Sequence, residues 1–326
     1  MAQQLHSTGR RSPTITIADG GYSKMLVRVP FNPRLDPHDA PHPRVWAIVL
    51  TGDRPPAPEH VQPRRECRPA RRWPQAEGAL LRPRHALERA SRLAPAGQMV
   101  AVLTRRQAPA WDRELSGLPQ VRQVTQPVYR GRAAEVLLPL LKIARQDPSA
   151  TVIILPAEHR VGNDPRFLRY VGRAVWAIAL RPDLPILLGA HPHAPVVDGW
   201  IEPGPPVEGL EDLAIRTVKR FVDDASAAER RRLFEGNALA STSILVGRAG
   251  TLRALAGRTL PEVLEALEPL EDVADRAEES LLCDAVYEYM PEADLAPLER
   301  ARELAVLALP DVVWRAPDRE ALSLAS

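Results

Sequence analysis

Cysteine, lysine and long apolar runs are all scarce in this chain, and each scarcity removes a class of answers. Cys67 and Cys283 are the only cysteines and lie far apart, so neither a disulfide framework nor a thiolate zinc site can be assembled from cysteine alone. A reducing cytoplasm fits that usage. Only Lys24, Lys142 and Lys219 are lysines among 43 basic residues, so arginine carries nearly all the positive charge. Against 41 acidic residues the net charge is +2, too small to predict a nucleic-acid or membrane partner. The best apolar run, "AVWAIAL", stops at Arg181 and Pro182, short of a bilayer span. No apolar stretch follows Arg10 and Arg11, which argues against secretory and twin-arginine signals.

What is present is a chain of 326 residues, 45% hydrophobic, long enough for one large core or two modest ones. Residues 1–43 are polar and end in closely spaced prolines, which exclude helix and central strand, so a flexible leader is predicted there and a single domain over 44–326. "VWAIVL" at 45–50 and "MVAVLT" at 99–104 read as strands buried on both faces. In "RAAEVLLPLLKIARQDP" the apolar residues recur at helical spacing, with Pro139 inside and Asp147-Pro148 as the stop. "ATVIIL", a helix opening at Asn163 or Asp164 with Pro165 in its first turn, and "PILLGA" continue the alternation. That order predicts an α/β domain with a mostly parallel central sheet flanked by helices. "AIRTVKRFV" reads as a half-buried strand, Ser226 with Glu229 as a capping box closed by Gly236, and "TSILVGR" as a further strand. The remainder is helical until "LAVLAL". Ligands of open α/β sheets sit beyond the carboxyl ends of the strands, so the places to search are "TGDRPPAP", "PAEHR" and "AHPHAP".

The segments "QPVYRGRAAEVLLPLLKIARQDPSATVIILPAEH", "LLGAHPHAPVVDGWIEPG", "VKRFVDD" and "GNALASTSILVGRAGTL" come in the order and spacing of the mannose-1-phosphate guanylyltransferases, which this chain resembles from about Arg44 onward. The resemblance implies a Rossmann-like nucleotidyltransferase fold. It also implies a reaction joining a sugar 1-phosphate to the α-phosphorus of GTP or another nucleoside triphosphate, with pyrophosphate expelled and magnesium as cofactor. Catalysis of that kind is mostly positioning and charge neutralisation.

Carried over position by position, the resemblance implies that Gly52 begins the phosphate loop, with Arg54 in place of the family arginine and Arg64 in place of the family lysine. Arg130 and Gly131 fall where the family touches its nucleotide, and Glu158 where an aspartate ligates magnesium. Gly199, Glu202 and Asp223 fall on the sugar side. The departures are as notable. Asp53, Pro55 and Pro56 stand in the phosphate loop, Asp198 replaces an aromatic residue, Asp224 replaces a lysine, and Ala240-Ser241 replaces Trp-Asn. The second metal-binding aspartate is absent from "VWRAPDRE" unless Asp318 supplies it. Prolines donate no amide, and an acid repels phosphate, so the resemblance implies an activity weakened or lost.

Plainer readings stand beside these. Glu158 can simply cap the turn after its strand, and His159 can be a packed histidine. His191 and His193 alternate along an extended loop and point apart, against a shared metal. "PRRECRPARR" at 63–72 can hold a polyanion, but without an interleaved aromatic residue it reads as a solvated loop. Two functions therefore remain open: a nucleotidyltransferase with an altered site, or a pseudoenzyme that binds a nucleotide, a sugar phosphate or another protein on the same scaffold.

Overall fold

The computed structural model describes residues 14–16, 26–28, 44–52, 83–162, 164–195, 197, 199–273, 278–310, 312 and 314–315. Two short strands, β1 (Thr14–Thr16) and β2 (Leu26–Arg28), pair antiparallel upstream of the main body. The body runs β3 (Val45–Leu50), α1 (Pro83–Ser91), β4 (Met99–Thr104), α2 (Ala108–Leu115), β5 (Arg122–Gln126), α3 (Gly131–Gln146), β6 (Thr151–Pro156), β7 (Arg160–Val161) and α4 (Asp164–Leu180). It continues with β8 (Ile186–Ala190), β9 (Gly199–Pro206), β10 (Ile215–Asp223), α5 (Ala227–Glu235), β11 (Leu239–Arg248), α6 (Ala249–Thr259) and α7 (Pro261–Leu267). The last elements are α8 (Pro269–Asp272), α9 (Glu279–Tyr289), α10 (Ala296–Glu299), β12 (Ala305–Leu309) and β13 (Trp314–Arg315).

A nine-stranded sheet in the order β5-β4-β3-β6-β11-β8-β12-β10-β9 is the frame. β5, β4, β3 and β6 run parallel, as do β8 and β12. β11 enters antiparallel between β6 and β8, and β10 is antiparallel to β12 and β9. The start of β9 also pairs with β11, which brings the two ends of that half together.

Period-two alternation divides the core. Trp46, Ile48 and Leu50 of β3, with Val152 and Ile154 of β6, face the layer built from α3, α6, α7, α9 and α10. Val45, Ala47 and Val49, with Ile153 and Leu155, face α1, α2 and α4. Every residue of β3, β4, β6 and β8 is buried, which is why their sequences are continuous apolar runs rather than alternating ones. In the β5–α3–β6 crossover the helix begins at the carboxyl edge of the parallel strands. Its first turn therefore meets the loops that leave β3 and β6.

Candidate active site

The loop after β3 is fixed at its first peptide. Gly52 takes φ +69°, a left-handed conformation that suits glycine. Its carbonyl accepts from Gln107 Nε2 at 3.0 Å, and Gln107 Oε1 in turn accepts from the Thr104 backbone N–H at 2.7 Å and from Thr104 Oγ1 at 2.8 Å. The Gly52 N–H donates to Glu135 Oε1 of α3 at 2.8 Å. Glu135 is 1% exposed, and its Oε2 has no partner among the described residues. Burial pushes this carboxyl up to about 7, although the Gly52 N–H and the Arg132 charge both pull it down.

Arg132 lies one turn before Glu135 on the same face of α3. Its guanidinium Nη2 forms an ion pair with Glu158 Oε1, in the loop after β6, and both side chains are about one-fifth exposed, at 21% and 20%. Burial acts to raise the Glu158 carboxyl, but the Arg132 charge, His159 and hydrogen bonds from the backbone and from Arg132 together hold the group below its ordinary value. For Arg132, burial favours the neutral form, yet Glu158, Glu135 and Glu299 together raise its pKa. Glu299 of α10 is itself raised by burial, against a hydrogen bond from Ser243. Ser243 adopts φ +52° where the β11 register shifts between Ser241 and Ile244, a non-glycine strain placed beside the cluster. His159 is buried, with its ring edge-on to Trp314 at 5.1 Å, and burial pushes it down to about 4.

The N-terminus of α3 is also engaged by the protein itself. Arg130 donates from Nε to the Tyr287 carbonyl at 2.8 Å and from Nη2 to the Glu288 carbonyl at 3.2 Å, at the end of α9. The Ala133 N–H donates to the Ala293 carbonyl at 3.1 Å, and the Ala293 N–H to the Arg130 carbonyl at 3.3 Å. Gly131, at φ +86°, makes this approach possible: a Cβ there would lie 2.1 Å from the Ala293 oxygen.

On the sugar side implied by the resemblance, Gly199 pairs with Asp223 across β9 and β10, and Asp223 Oδ1 accepts from Arg300 Nη2 at 2.7 Å. Glu202 stands three residues along β9 from Gly199, an odd number, so its side chain takes the opposite face. There it meets Lys219 Nζ at 2.6 Å and Arg220 Nε at 2.8 Å, hydrogen bonds that pull its carboxyl down to about 2. Gly199 and Asp223 thus come together, and Glu202 does not join them. Gly52 and Glu158 are linked through Glu135 and Arg132. Arg54, Arg64, Asp53, Pro55, Pro56, Asp198 and Asp318 lie outside the described residues.

Among the described residues magnesium finds no ready cage. One Glu158 oxygen is committed to Arg132, and no group of three His, Cys, Asp or Glu that could hold a metal ion occurs among the described residues. Sequence reasoning missed Arg132, Glu135, Gln107, Glu299 and Arg300. A signal existed for Glu135: it is the one acid in α3, set in the otherwise apolar run from Ala133 to Leu141.

No protein-family model matches this chain, and no curated protein matches it by sequence. Solved structures do resemble it. A mannose-1-phosphate geranyltransferase from Thermus thermophilus superposes with a TM-score of 0.66 at 23% identity, over 83% of this chain and 76% of that one. A mannose-6-phosphate isomerase from Helicobacter pylori superposes with a TM-score of 0.64 at 13% identity, over 83% of this chain and 99% of that one. The chain has the Rossmann-like nucleotidyltransferase fold. In this nucleotidyltransferase fold the Gly52 loop, the α3 N-terminus and the Glu158 loop share the carboxyl edge of β3 and β6, where a doubly wound sheet takes its ligands. Among the described residues, no helix is long and apolar enough to cross a membrane.

Proposed function

We propose that this chain is a sugar-phosphate nucleotidyltransferase-like protein of the mannose-1-phosphate guanylyltransferase type whose transfer activity is weak or lost. One observation carries the reading: the groups that would receive a nucleotide and its metal are bonded to each other instead. The Gly52 N–H is taken by Glu135, Glu158 by Arg132 and the Ala133 N–H by the Ala293 carbonyl. A triphosphate would have to displace each of these while facing three acidic side chains, Glu135, Glu158 and Glu299, around one guanidinium. GTP or another nucleotide and a sugar 1-phosphate are the ligands of this reading, without a resident magnesium ion at Glu158.

A second reading, a pseudoenzyme that holds a sugar phosphate without transferring it, draws on Arg300. Its side chain is 45% exposed and its guanidinium is held by Asp223 beside Gly199, an arrangement able to meet an anion. Calorimetric titration of the full chain with GTP and magnesium, and with GDP-mannose in parallel, separates the two. Saturable heat with GTP and slow or absent pyrophosphate release selects the first, and heat from GDP-mannose without GTP binding selects the second. Rapid pyrophosphate release from GTP in the presence of sugar 1-phosphate that Glu158→Ala abolishes would refute both.

A further inference from the structure

The charge of this chain is divided very unevenly. Residues 260–299, which hold α7 to α10, contain thirteen Asp and Glu against a single arginine, Arg276, in a chain whose total is +2. On the outer side of that region α9 carries Leu281, Ala285 and Tyr289 at i, i+4 and i+8, one stripe of a helix. Leu281 is 75% and Tyr289 83% exposed, and they are two of the three large hydrophobic side chains left exposed among the described residues. The stripe borders a groove of about 320 Å³ between α7 and α9, lined by Ala266, Ala285, Val286, Tyr289, Met290 and Pro291. Exposed acids flank the lining residues in sequence: Glu262 and Glu265 beside Ala266 in α7, Glu288 and Glu292 beside Tyr289 and Pro291 at the end of α9.

Exposed aromatic and aliphatic groups at helical spacing, in a groove with a charged border, match the way an amphipathic helix is received by a partner. The border decides the sign. An acidic segment would meet like charges from Glu262, Glu265, Glu288 and Glu292, and a second α9 would bring the same acids against these. We propose that the α7–α9 groove is a docking site for a basic amphipathic helix of another protein, with apolar anchors over Leu281 and Tyr289 and arginine or lysine facing the glutamate rim. The site is independent of the nucleotide reading, since none of these side chains belongs to the cluster at Arg132.

The test is fluorescence anisotropy of the full chain with a fluorescein-labelled synthetic helix of about fifteen residues, leucines on one face and arginines elsewhere. Saturable binding is expected, weakened about tenfold or more by Leu281→Ser with Tyr289→Ser, exposed positions whose replacement leaves the melting temperature unchanged. Glu262→Gln with Glu265→Gln should weaken it and flatten its salt dependence. The proposal falls if a twin peptide with glutamate for arginine binds as well, or if an arginine–serine peptide without leucines does. It falls also if the serine variants keep full affinity. Self-association in sedimentation velocity that Tyr289→Ser abolishes would instead give the groove to a second copy.

Discussion

Replacing Glu135 by glutamine isolates the electrostatic cost of the cluster, because the amide oxygen still accepts from the Gly52 N–H while the charge disappears. The folded-state carboxyl stands at about 7 against an ordinary 4.5. The folded protein therefore binds a proton more tightly than the unfolded chain, so stability falls as pH rises from the unfolded value through the folded one. Integrating between about pH 5 and pH 8, with about 1.4 kcal/mol per unit, gives a loss of about 2 to 3 kcal/mol from this one group. Glu135→Gln removes that loss. The amide brings its own fixed cost, an N–H₂ set where Oε2 now lacks a partner, but this is the same at both pH values and cancels in the difference. Urea denaturation of wild type and variant at each pH, followed by tryptophan fluorescence, reads the quantity directly. Parallel curves for the two proteins would refute the argument, since Glu135 would then have no raised folded-state value.

Arg132→Met leaves Glu158 and Glu135 without their cation and should cost about 3 kcal/mol near pH 8, less in acid where both protonate; equal midpoints in urea at both pH values would contradict it. Gly131→Ala puts a Cβ 2.1 Å from the Ala293 carbonyl at a positive φ, so a loss of about 2 kcal/mol or more is expected in calorimetric melting. His159 is buried neutral and depressed to about 4, so its stabilising contribution is lost as pH falls from about 6.5 through 4. His159→Phe should accordingly move the acid-unfolding midpoint to lower pH. Ser226→Ala removes the Oγ that accepts from the Glu229 N–H at 3.2 Å and should cost about 1 kcal/mol, read as a drop in melting temperature.

The strands legible in the sequence were those whose environment is simplest. β3, β4, β6 and β8 are buried on both faces, so composition alone marks them. α3, α4 and the Ser226 cap were legible for the corresponding local reasons. β5, "RQVTQ", escaped because it is an edge strand whose side chains are mostly exposed. β9, "GWIEPGPP", escaped because its strand character comes from pairing with β10 and β11, contacts remote in sequence. The antiparallel entry of β11 between β6 and β8 leaves no trace in hydrophobicity, which carries period but not direction. The site follows the same rule. Glu158 could be picked out at a strand end, but its partner Arg132 lies 26 residues away, on a helix face fixed only by packing.

Charge explains why such a site can change while the fold persists. The strands are held by apolar burial, about 25 cal/mol per Å², to which the loops at Gly52 and Glu158 add little. Those loops are free to vary, subject to the rule that a buried charge needs a partner. Once Glu135 is buried in α3, hydrogen bonds from the Gly52 and Thr51 N–H groups and the Arg132 charge lower its cost, and Arg132 in turn draws in Glu158. A phosphate brought within about 4 Å of any of these carboxylates meets a repulsion of about 4 kcal/mol at an effective dielectric of 20. Arg132 offsets one such term, and Glu158 already claims it. The arrangement is therefore self-consistent without a ligand: what neutralises the cluster internally is the same charge that a nucleotide would have to recruit.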